Sequence, residues 1–300
     1  MSALEQKLRT RFGTRLHRDY PLAELTSFGI GGPADLFLEV ETEDELAATV
    51  AVARRSTLPI FCLGSGTNLL VSDEGIRGMV IKLSAGFAQI ELDNGMVRAG
   101  AAVQFGELAR FTAERGLAGL EFGEGIPGSV GGGLVMNAGA FGSELARVAK
   151  AVRGIDHDGR VRVLTPEEVG FAYRRTSLPP EFIITRVDCA LAAGDREKLH
   201  AHIMEIHARR LSRQPDRQPN AGSVFKNPPG NFAGRLLEAA GLKGERRGDA
   251  AFSTQHANFI VNLGNARAVE VRALIELARE RVRASAGVSL EPEIRMVGEW

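Results

Sequence analysis

A chain of 300 residues, 44% of them hydrophobic and 25% charged, is long enough for two or three domains and has the composition of a folded globular protein. Its 37 basic and 37 acidic residues balance, so no net charge favours nucleic acid or a membrane surface, and no apolar run approaches the ~18 residues of a membrane span. The two cysteines, Cys62 and Cys189, lie in apolar runs without a CxxC partner, which excludes a disulfide framework and indicates buried thiols in a reducing compartment. We therefore expect a cytoplasmic protein whose partner is a small molecule.

The first third of the chain predicts helices mixed with short strands. Thr42 and Glu45 have the spacing of a capping box, which predicts a helix over the alanine-rich stretch EDELAATVAVARR. Short β-like runs then flank Asn94-Gly95, a strong hairpin signal. The stretch FGELARFTAERG predicts a helix that ends at Gly116.

The middle of the chain continues this alternation. KAVRGIDHDGRVRVL predicts a second hairpin that turns near Asp158-Gly159. Thr165 and Glu168 supply a capping box, with a first-turn proline between them, for a short helix. FIITRVDCALAAG predicts a strand, and the composition changes at Asp195, where we place a domain boundary.

The last third begins with a predicted helix over DREKLHAHIMEIHARRLSRQ, followed by a proline-rich loop. A short helix over GRLLEAAG, a strand over NFIVNL and a final strand in EPEIRMVGEW are predicted beyond the loop. Between the two strands, apolar residues recur at helical spacing and predict an amphipathic helix that buries Val271, Leu274, Ile275, Ala278 and Val282.

Two segments are rich in glycine: GSGTN at residues 64–68 and GIPGSVGGGLVMNAGAFG at residues 125–142. Each glycine costs about 0.5–1 kcal/mol in regular structure, so such clusters indicate positive φ angles or close approach of the main chain to a ligand. Main-chain N–H groups in such turns bind anions, and two cradles suit an extended ligand with a pyrophosphate. The alternative is a pair of tight turns in a β-rich domain.

Other ligand classes fit the sequence poorly. No glycine run has the GxGxxG spacing followed by a helix and an acidic residue, and no GxxxxGK[ST] occurs, so a doubly wound dinucleotide fold is not expected. His200, His202 and His207 share one predicted helix but lack the i, i+4 spacing of a helical zinc site. We expect no metal.

Eight segments occur together in one order: LTSFGIGGPAD, LGSGTNLLVSD, GIPGSVGGGLVMNAGAFG, FAYRRTSL, NAGSVFKNP, AGLKG, HANFIVN and EPEIRMVGE. In their order and approximate spacing the chain resembles the UDP-N-acetylenolpyruvoylglucosamine reductases from about residue 20 to its end. The resemblance implies an α+β fold like that of vanillyl-alcohol-oxidase-type flavoproteins, with non-covalent FAD as cofactor, NADPH as reductant and a role in peptidoglycan precursor synthesis. The short segment after Tyr173 implies the branch of the family that lacks an extra substrate loop.

The resemblance also implies an organisation into lobes. Residues 1–75 and 76–194 would form two FAD-binding lobes, and residues 195–288 would bind the UDP-sugar. Residues 289–300 would contain a strand that returns to the active site. The residues themselves support only the break near 195.

The resemblance assigns two sets of cofactor-binding residues. The first set would surround the FAD pyrophosphate: Gly64, Ser65, Gly66, Thr67 and Asn68. The second set would pass along the flavin and its ribityl chain: Gly128, Ser129, Asn137, Ala138 and Gly139.

Three side chains match the family's catalytic positions: Arg174, Ser223 and Glu293. The resemblance implies that a hydride passes from NADPH through flavin N5 to C3 of the enolpyruvyl group, while Ser223 gives a proton to C2. Arg174 and Glu293 would hold and polarise the carboxylate as it gains charge. Glu291 is the competitor for the role of Glu293, because residues two apart face the same side of a strand.

Four further residues are expected to contact the substrate: Tyr173, Lys226, Asn227 and His256. Lys226 could lower the pKa of Ser223 or bind the diphosphate of the substrate. His256 could contact the UDP moiety or form a structural hydrogen bond.

Two alternative functions stay open at this stage. The first is an FAD oxidase of the same superfamily, although neither glycine-rich segment contains a histidine or cysteine that could tether the flavin. The second is a nucleotide-sugar sensor without catalysis, which the joint presence of arginine, serine and glutamate at the catalytic positions argues against.

Overall fold

The computed structural model describes residues 3–93, 95–215 and 218–300, and it mixes helices with strands throughout. The helices are α1 Ala3–Phe12, α2 Glu43–Arg55, α3 Phe105–Ala113, α4 Val130–Val135, α5 Pro166–Val169, α6 Arg196–Arg213, α7 Ala233–Ala239 and α8 Ala268–Ala286. The first nine strands are β1 Leu16–Pro21, β2 Pro33–Val40, β3 Ile60–Leu63, β4 Leu69–Val71, β5 Ile76–Leu83, β6 Ile90–Asp93, β7 Met96–Gly100, β8 Leu117–Ala118 and β9 Gly139–Ala140. The others are β10 Ser143–Glu144, β11 Ala149–Ile155, β12 Val161–Leu164, β13 Ile183–Ala190, β14 Ala192–Ala193, β15 Arg246–Arg247, β16 Ala250–Phe252, β17 Ile260–Asn262 and β18 Arg295–Val297. The predicted α+β class is confirmed.

The chain forms two compact units, each built from three stretches of sequence. The first unit contains the N-terminal stretch to Arg18, Leu36–Ser65 and Gly78–Arg209. The second contains Asp19–Asp35, Gly66–Arg77 and Arg210–Trp300. The lobe boundaries implied at residues 75, 194 and 288 concern ligand binding and stay predictions.

The first unit is built around an antiparallel five-stranded sheet with the strand order β12-β11-β13-β7-β6. Both predicted hairpins belong to it: β6 pairs with β7 and β11 pairs with β12. Asn94, at the first predicted turn, lies outside the described residues. At the second turn the Asp156 carboxylate accepts hydrogen bonds from the N–H groups of Asp158 and Arg160, each at 2.9 Å.

Helix α3 packs its apolar side against the core of this sheet. Phe105, Leu108 and Ala109 are buried, and Phe105 and Leu108 share a cluster with Val97 and Val187 of the sheet. The first unit also contains most of a second sheet, with the strand order β1-β2-β5-β3. This packing fixes the start of α3, which is close to the glycine-rich segment described below.

The two predicted capping boxes differ in outcome. Thr165 and Glu168 form both reciprocal hydrogen bonds of the box, as predicted. Thr42 caps α2 through Glu45 N at 3.2 Å, but the Glu45 carboxylate bonds to Glu41 N and to Arg15 instead of Thr42 N. The bonds to Arg15 join two ionised groups, whereas the bond they replace joins the carboxylate to an uncharged main-chain N–H, and the Arg15 bonds lower the pKa of Glu45.

The second unit combines the antiparallel sheet β15-β16-β17 with helices α7 and α8. All five apolar residues predicted for the buried side of α8 are buried: Val271, Leu274, Ile275, Ala278 and Val282. The last strand, β18, runs parallel to β4 and pairs Arg295 with Leu69. This pairing ties the end of the chain to the first glycine-rich segment.

The cysteines are thiols with different exposure. Cys189 is buried and Cys62 is half-buried, and burial raises the pKa of each to about 12. Both therefore stay protonated at neutral pH. Within residues 3–93, 95–215 and 218–300, no helix combines the length and apolarity needed to cross a membrane.

Candidate active site

In the first unit, the two glycine-rich segments approach each other where helix α4 begins. Ser129 caps α4 by accepting a hydrogen bond from Gly132 N at 3.3 Å. A Cβ added to Gly64 would lie 3.0 Å from Ser129 Oγ, so a larger residue at position 64 would push against the serine hydroxyl.

A glutamine that the sequence analysis did not single out joins these segments. Gln104 Nε2 donates to Ser65 Oγ at 3.2 Å, and Gln104 forms an isolated β-bridge with Ser129. Phe105 N also donates to Gly128 O at 2.8 Å. In the sequence, Gln104 is a polar residue directly before the predicted helix FGELARFTAERG. That placement indicates the start of a helix but does not identify the residue to which the side chain bonds.

The residues of this cradle fit an FAD pyrophosphate. Gly64 and Gly132 are exposed, the Ser129 hydroxyl lies next to both, and the Ser65 hydroxyl bonds to the Gln104 amide. Neutral donors on exposed, glycine-rich main chain are the usual means of binding a phosphate without a cation.

The rest of the first glycine-rich segment belongs to the second unit and has protein partners. A Cβ on Gly66 would lie 2.1 Å from Leu25 O, so this position admits only glycine. Asn68 Nδ2 donates to Glu293 O at 3.1 Å, and Arg295 N donates to Asn68 O at 3.0 Å. The structure thus brings a predicted cofactor residue, Asn68, to the main chain of a predicted catalytic one, Glu293. Cofactor binding by Asn68 and by Thr67 stays a prediction.

Asn137, in the second glycine-rich segment, connects that segment to the turn that carries Arg174. Its side chain is fully buried, with Oδ1 accepting from Ala146 N at 3.0 Å and Nδ2 donating to Ala172 O at 3.1 Å. Asn137 has a φ of +41°, a left-handed conformation that asparagine tolerates better than most residues. Ala138 and Gly139 follow it directly, and Gly139 begins strand β9.

Arg174 occupies a tight turn of the first unit. Ala172 and Arg175 exchange two main-chain hydrogen bonds at 3.0 and 3.2 Å, which leaves Tyr173 and Arg174 at the tip. Arg174 has a φ of +56°, and its guanidinium carbon lies 5.4 Å from the centre of the Tyr173 ring, which is half exposed. The structure therefore brings these two predicted site residues together in one strained turn.

In the second unit, Ser223 and Glu293 lie on paired segments. Glu293 N donates to Val224 O at 2.7 Å, and Lys226 N donates to Glu291 O at 2.9 Å, with an isolated antiparallel bridge between them. The two segments are far apart in sequence, so only the fold brings the serine and the glutamate close.

Lys226 and Glu291, which had competing roles in the sequence analysis, form an ion pair with each other. Lys226 Nζ lies 2.5 Å from Glu291 Oε1. The Glu291 side chain is 71% exposed, whereas that of Lys226 is 15% exposed. Glu291 is thus an exposed partner of Lys226, and the catalytic role of Glu293 stays a prediction.

The remaining predicted substrate residues also have structural partners. Asn227 Oδ1 accepts a hydrogen bond from Ala233 N at 3.0 Å, at the first residue of α7. His256 Nδ1 accepts from Asn258 N at 3.2 Å, and its ring packs edge-on against Phe259. Burial lowers the pKa of His256, so the neutral ring carries its proton on Nε2 and can donate there. Substrate contact by Asn227 and His256 stays a prediction.

Comparison with known proteins decides the family. Residues 214–297 match the C-terminal domain of UDP-N-acetylenolpyruvoylglucosamine reductase, and residues 34–165 match an FAD binding domain. A UDP-N-acetylenolpyruvoylglucosamine reductase 2 of Symbiobacterium thermophilum is 48% identical over 301 residues, covering 99% of this chain and 98% of the relative. The chain belongs to the UDP-N-acetylenolpyruvoylglucosamine reductase family.

Other members of the family agree in length and structure. The reductase of Rubrobacter xylanophilus is 48% identical over 283 residues, 94% of this chain and 95% of the relative. The crystal structure of the Thermus caldophilus reductase superposes with a TM-score of 0.81 at 41% identity, covering 94% of this chain and 97% of that one. The resemblance stated from eight sequence segments is thereby confirmed. The matched FAD binding domain confirms the predicted cofactor, and its range contains both glycine-rich segments.

Proposed function

We propose that this chain is an FAD-dependent oxidoreductase that uses NADPH to reduce UDP-N-acetylglucosamine enolpyruvate to UDP-N-acetylmuramate. The observation that supports it most directly is the pairing of the Ser223 segment with the Glu293 segment, with Glu293 N donating to Val224 O at 2.7 Å. This pairing joins the segment of a hydroxyl to the segment of a carboxylate, and the reduction of an enol ether needs both groups. The family membership supplies the substrate class.

The cofactor contacts of the proposal follow from the cradle in the first unit. Ser65, Gln104 and Ser129, with the main chain at Gly64 and Gly132, would hold the pyrophosphate of FAD. When bound, FAD takes a hydride from NADPH and supplies it to C3 of the enolpyruvyl group.

Ser223 acts in the proposal as the general acid. As C3 of the substrate gains hydrogen, negative charge develops at C2 and on the adjoining carboxylate. The Ser223 hydroxyl donates its proton to C2, and solvent later returns a proton to the serine oxygen. A general acid of this kind contributes about 10²–10⁴-fold to a rate.

Arg174 and Glu293 act in the proposal on the substrate carboxylate. The Arg174 guanidinium is planar and can bind both carboxylate oxygens, which fixes the orientation of the group and stabilises its developing charge. Glu293, when protonated, donates a hydrogen bond to the same group and favours its enolic form. Each role needs a fixed side chain, and the turn at Ala172–Arg175 and the Val224–Glu293 hydrogen bond support this rigidity.

The test separates the two half-reactions of the holoenzyme without oxygen. NADPH should bleach the flavin absorbance, and added UDP-N-acetylglucosamine enolpyruvate should restore it. Ser223→Ala should leave bleaching nearly unchanged and slow the recovery by about 10²–10⁴-fold. Ser285→Ala is the matched control. Ser285 lies on α8, and its hydroxyl donates a hydrogen bond to the Arg281 carbonyl one turn earlier, at 2.8 Å.

Each outcome of this test discriminates among the functions. If the substrate never restores the absorbance of the wild-type protein, the reductase proposal is wrong. Recovery with oxygen alone would favour the oxidase alternative. If Ser223→Ala slows both half-reactions equally, the serine positions ligands and is not the acid.

A further inference from the structure

The main chain that follows Ser223 is bonded to a single asparagine. Asn258 Oδ1 accepts a hydrogen bond from Phe225 N at 3.0 Å, and Asn258 Nδ2 donates to Phe225 O at 2.8 Å. The main-chain oxygen of Asn258 also accepts from Val224 N at 2.9 Å. One residue thus satisfies three polar groups of the two residues that come directly after Ser223.

The Asn258 side chain has only one orientation that satisfies its partners. It is 4% exposed, and both atoms of its amide bond to the same residue. A half-turn of the amide would place its NH₂ against Phe225 N–H and its oxygen against Phe225 O. Buried polar groups are rarely left in such a state, so the observed orientation is fixed.

The same short segment also bonds to the main chain on either side of Pro292. Val224 O accepts from Glu293 N, and Lys226 N donates to Glu291 O. Residues 224–226 therefore lie between Asn258 on one side and residues 291–293 on the other. If the bonds on the Asn258 side are lost, Val224 and Phe225 keep their packing in the apolar core, but three polar groups of their main chain lose the partner that fixes their position.

We infer that Asn258 is a positioning residue for proton transfer by Ser223: it fixes the main chain of residues 224–226 and thereby the place of the serine hydroxyl. The inference rests on the proposed function, in which Ser223 is the acid. Misplacing a reacting group by 1 Å can lower a rate by about 10²-fold. A displacement of this size needs no unfolding of the second unit.

The rival explanation is that Asn258 only contributes to stability, and the chain offers a matched control for it. Asn262 is equally buried, and its amide donates to Phe28 O at 3.0 Å and accepts from Gly264 N and Ala266 N. Its side chain makes three hydrogen bonds, one more than that of Asn258, and none of these three involves residues 224–226. Both asparagines belong to the second unit.

The first experiment compares Asn258→Ala with Asn262→Ala in the holoenzyme. Asn258→Ala should slow recovery of the flavin absorbance by UDP-N-acetylglucosamine enolpyruvate on the order of 10²-fold, while bleaching by NADPH changes less than about threefold. Asn262→Ala should lower the unfolding midpoint but keep the wild-type ratio of the two rates. Amide hydrogen exchange should rise at residues 224–226 only in the Asn258 variant.

A second variant covers the case in which Asn258→Ala does not fold. In Asn258→Asp, a protonated carboxyl can donate to Phe225 O and accept from Phe225 N, whereas the ionised carboxylate cannot donate. Recovery of the flavin absorbance should therefore speed up as the pH falls, through a titration that the wild-type protein lacks. Asn262→Asp should show no such titration in the ratio of the two half-reaction rates.

The outcomes distinguish this inference from the proposed function. If Ser223→Ala slows recovery but both Asn258 variants keep the wild-type rate ratio, the positioning role is wrong and the acid role stands. If Ser223→Ala has no effect, the acid role is wrong, and the inference fails with it. Equal loss of both half-reactions in Asn258→Ala and Asn262→Ala would assign Asn258 a structural role only.

Discussion

The turn that carries Arg174 in the first unit and the segment that carries Ser223 in the second are both attached to a buried asparagine, but they are supported differently. Asn137 donates one hydrogen bond to the Arg174 turn, and both residues have left-handed φ angles of +41° and +56°. Asn258 instead saturates the segment after Ser223, which is also bonded to residues 291–293. The arginine thus occupies a strained turn that accepts one hydrogen bond from Asn137, and the serine lies beside a segment bonded both to Asn258 and to residues 291–293.

Because the two regions are supported differently, substitutions that change main-chain flexibility should affect the Arg174 turn, and substitutions that remove a hydrogen-bond partner should affect the segment after Ser223. Strain at a turn can be relieved by glycine, since glycine adopts positive φ at no steric cost. The main chain of residues 224–226 is stabilised by its hydrogen bonds, so a substitution that removes one of their partners leaves a buried polar group unpaired. The following predictions test this contrast.

The largest effect is expected at Arg174. Arg174→Ala and Arg174→Gly should both slow recovery of the flavin absorbance by substrate about 10²–10³-fold, because each removes the cation that stabilises the carboxylate. In urea unfolding, the glycine variant should be more stable than the alanine variant by about 1 kcal/mol, since only glycine relieves the positive φ. Equal stability of the two variants would mean that the turn is not strained.

A smaller effect on catalysis is expected at Asn137. Asn137→Ala leaves Ala146 N and Ala172 O without this partner, which should lower the free energy of unfolding by about 2–4 kcal/mol. Recovery by substrate should slow more than bleaching by NADPH, because the Arg174 turn loses its support. Asn137→Gly loses the same hydrogen bonds but adopts the positive φ of residue 137 more easily, so it should be more stable than Asn137→Ala. If the alanine variant is the more stable of the two, the positive φ at residue 137 does not strain the main chain.

The two units that contain these regions should lose stability in different pH ranges. Burial lowers the folded-state pKa of His256. The contribution of the neutral ring to the free energy of unfolding is therefore complete above pH ~6.5 and is lost as the pH falls through the folded-state pKa. The hydrogen bond from Arg153 lowers the pKa of Glu43 in the first unit, and that contribution is lost only at more acid pH, below the ordinary value near 4.5.

Unfolding midpoints measured from pH 8 down to about pH 2 cover both losses. His256→Asn, whose oxygen can replace Nδ1 as acceptor for Asn258 N, should flatten the loss that begins below pH ~6.5. Glu43→Gln should flatten only the loss at the acid end. A wild-type midpoint that is constant from pH 7 to pH 5 would contradict the assignment to His256.

The smallest effect is expected at Glu291. Glu291→Gln removes an exposed partner of Lys226, so stability should change by less than about 1 kcal/mol. The freed lysine should lower the KM for UDP-N-acetylglucosamine enolpyruvate a few-fold if it binds the diphosphate, or raise kcat if it lowers the pKa of Ser223. This variant therefore separates the two roles considered for Lys226, and Glu276→Gln on α8 is its exposed control.

Local signals in the sequence determined much of the secondary structure. The capping box at Thr165, the hairpin between β11 and β12 and the buried side of α8 were all predicted, because each depends on residues within a few positions of one another. The order of eight short motifs likewise identified the family and its FAD cofactor, since such a set occurs only where the same site is built.

The tertiary structure alone decided which polar groups meet across long stretches of sequence. Gln104 bonds to Ser65 from 39 positions away, Asn258 to Phe225 from 33 and Lys226 to Glu291 from 65. Glu45 illustrates the reason: the local rule assigned its carboxylate to Thr42 N, but the fold brought Arg15 within 2.6 Å. Spacing along the chain predicts a local partner, whereas the strongest partner of a charged or buried group depends on where the whole chain runs.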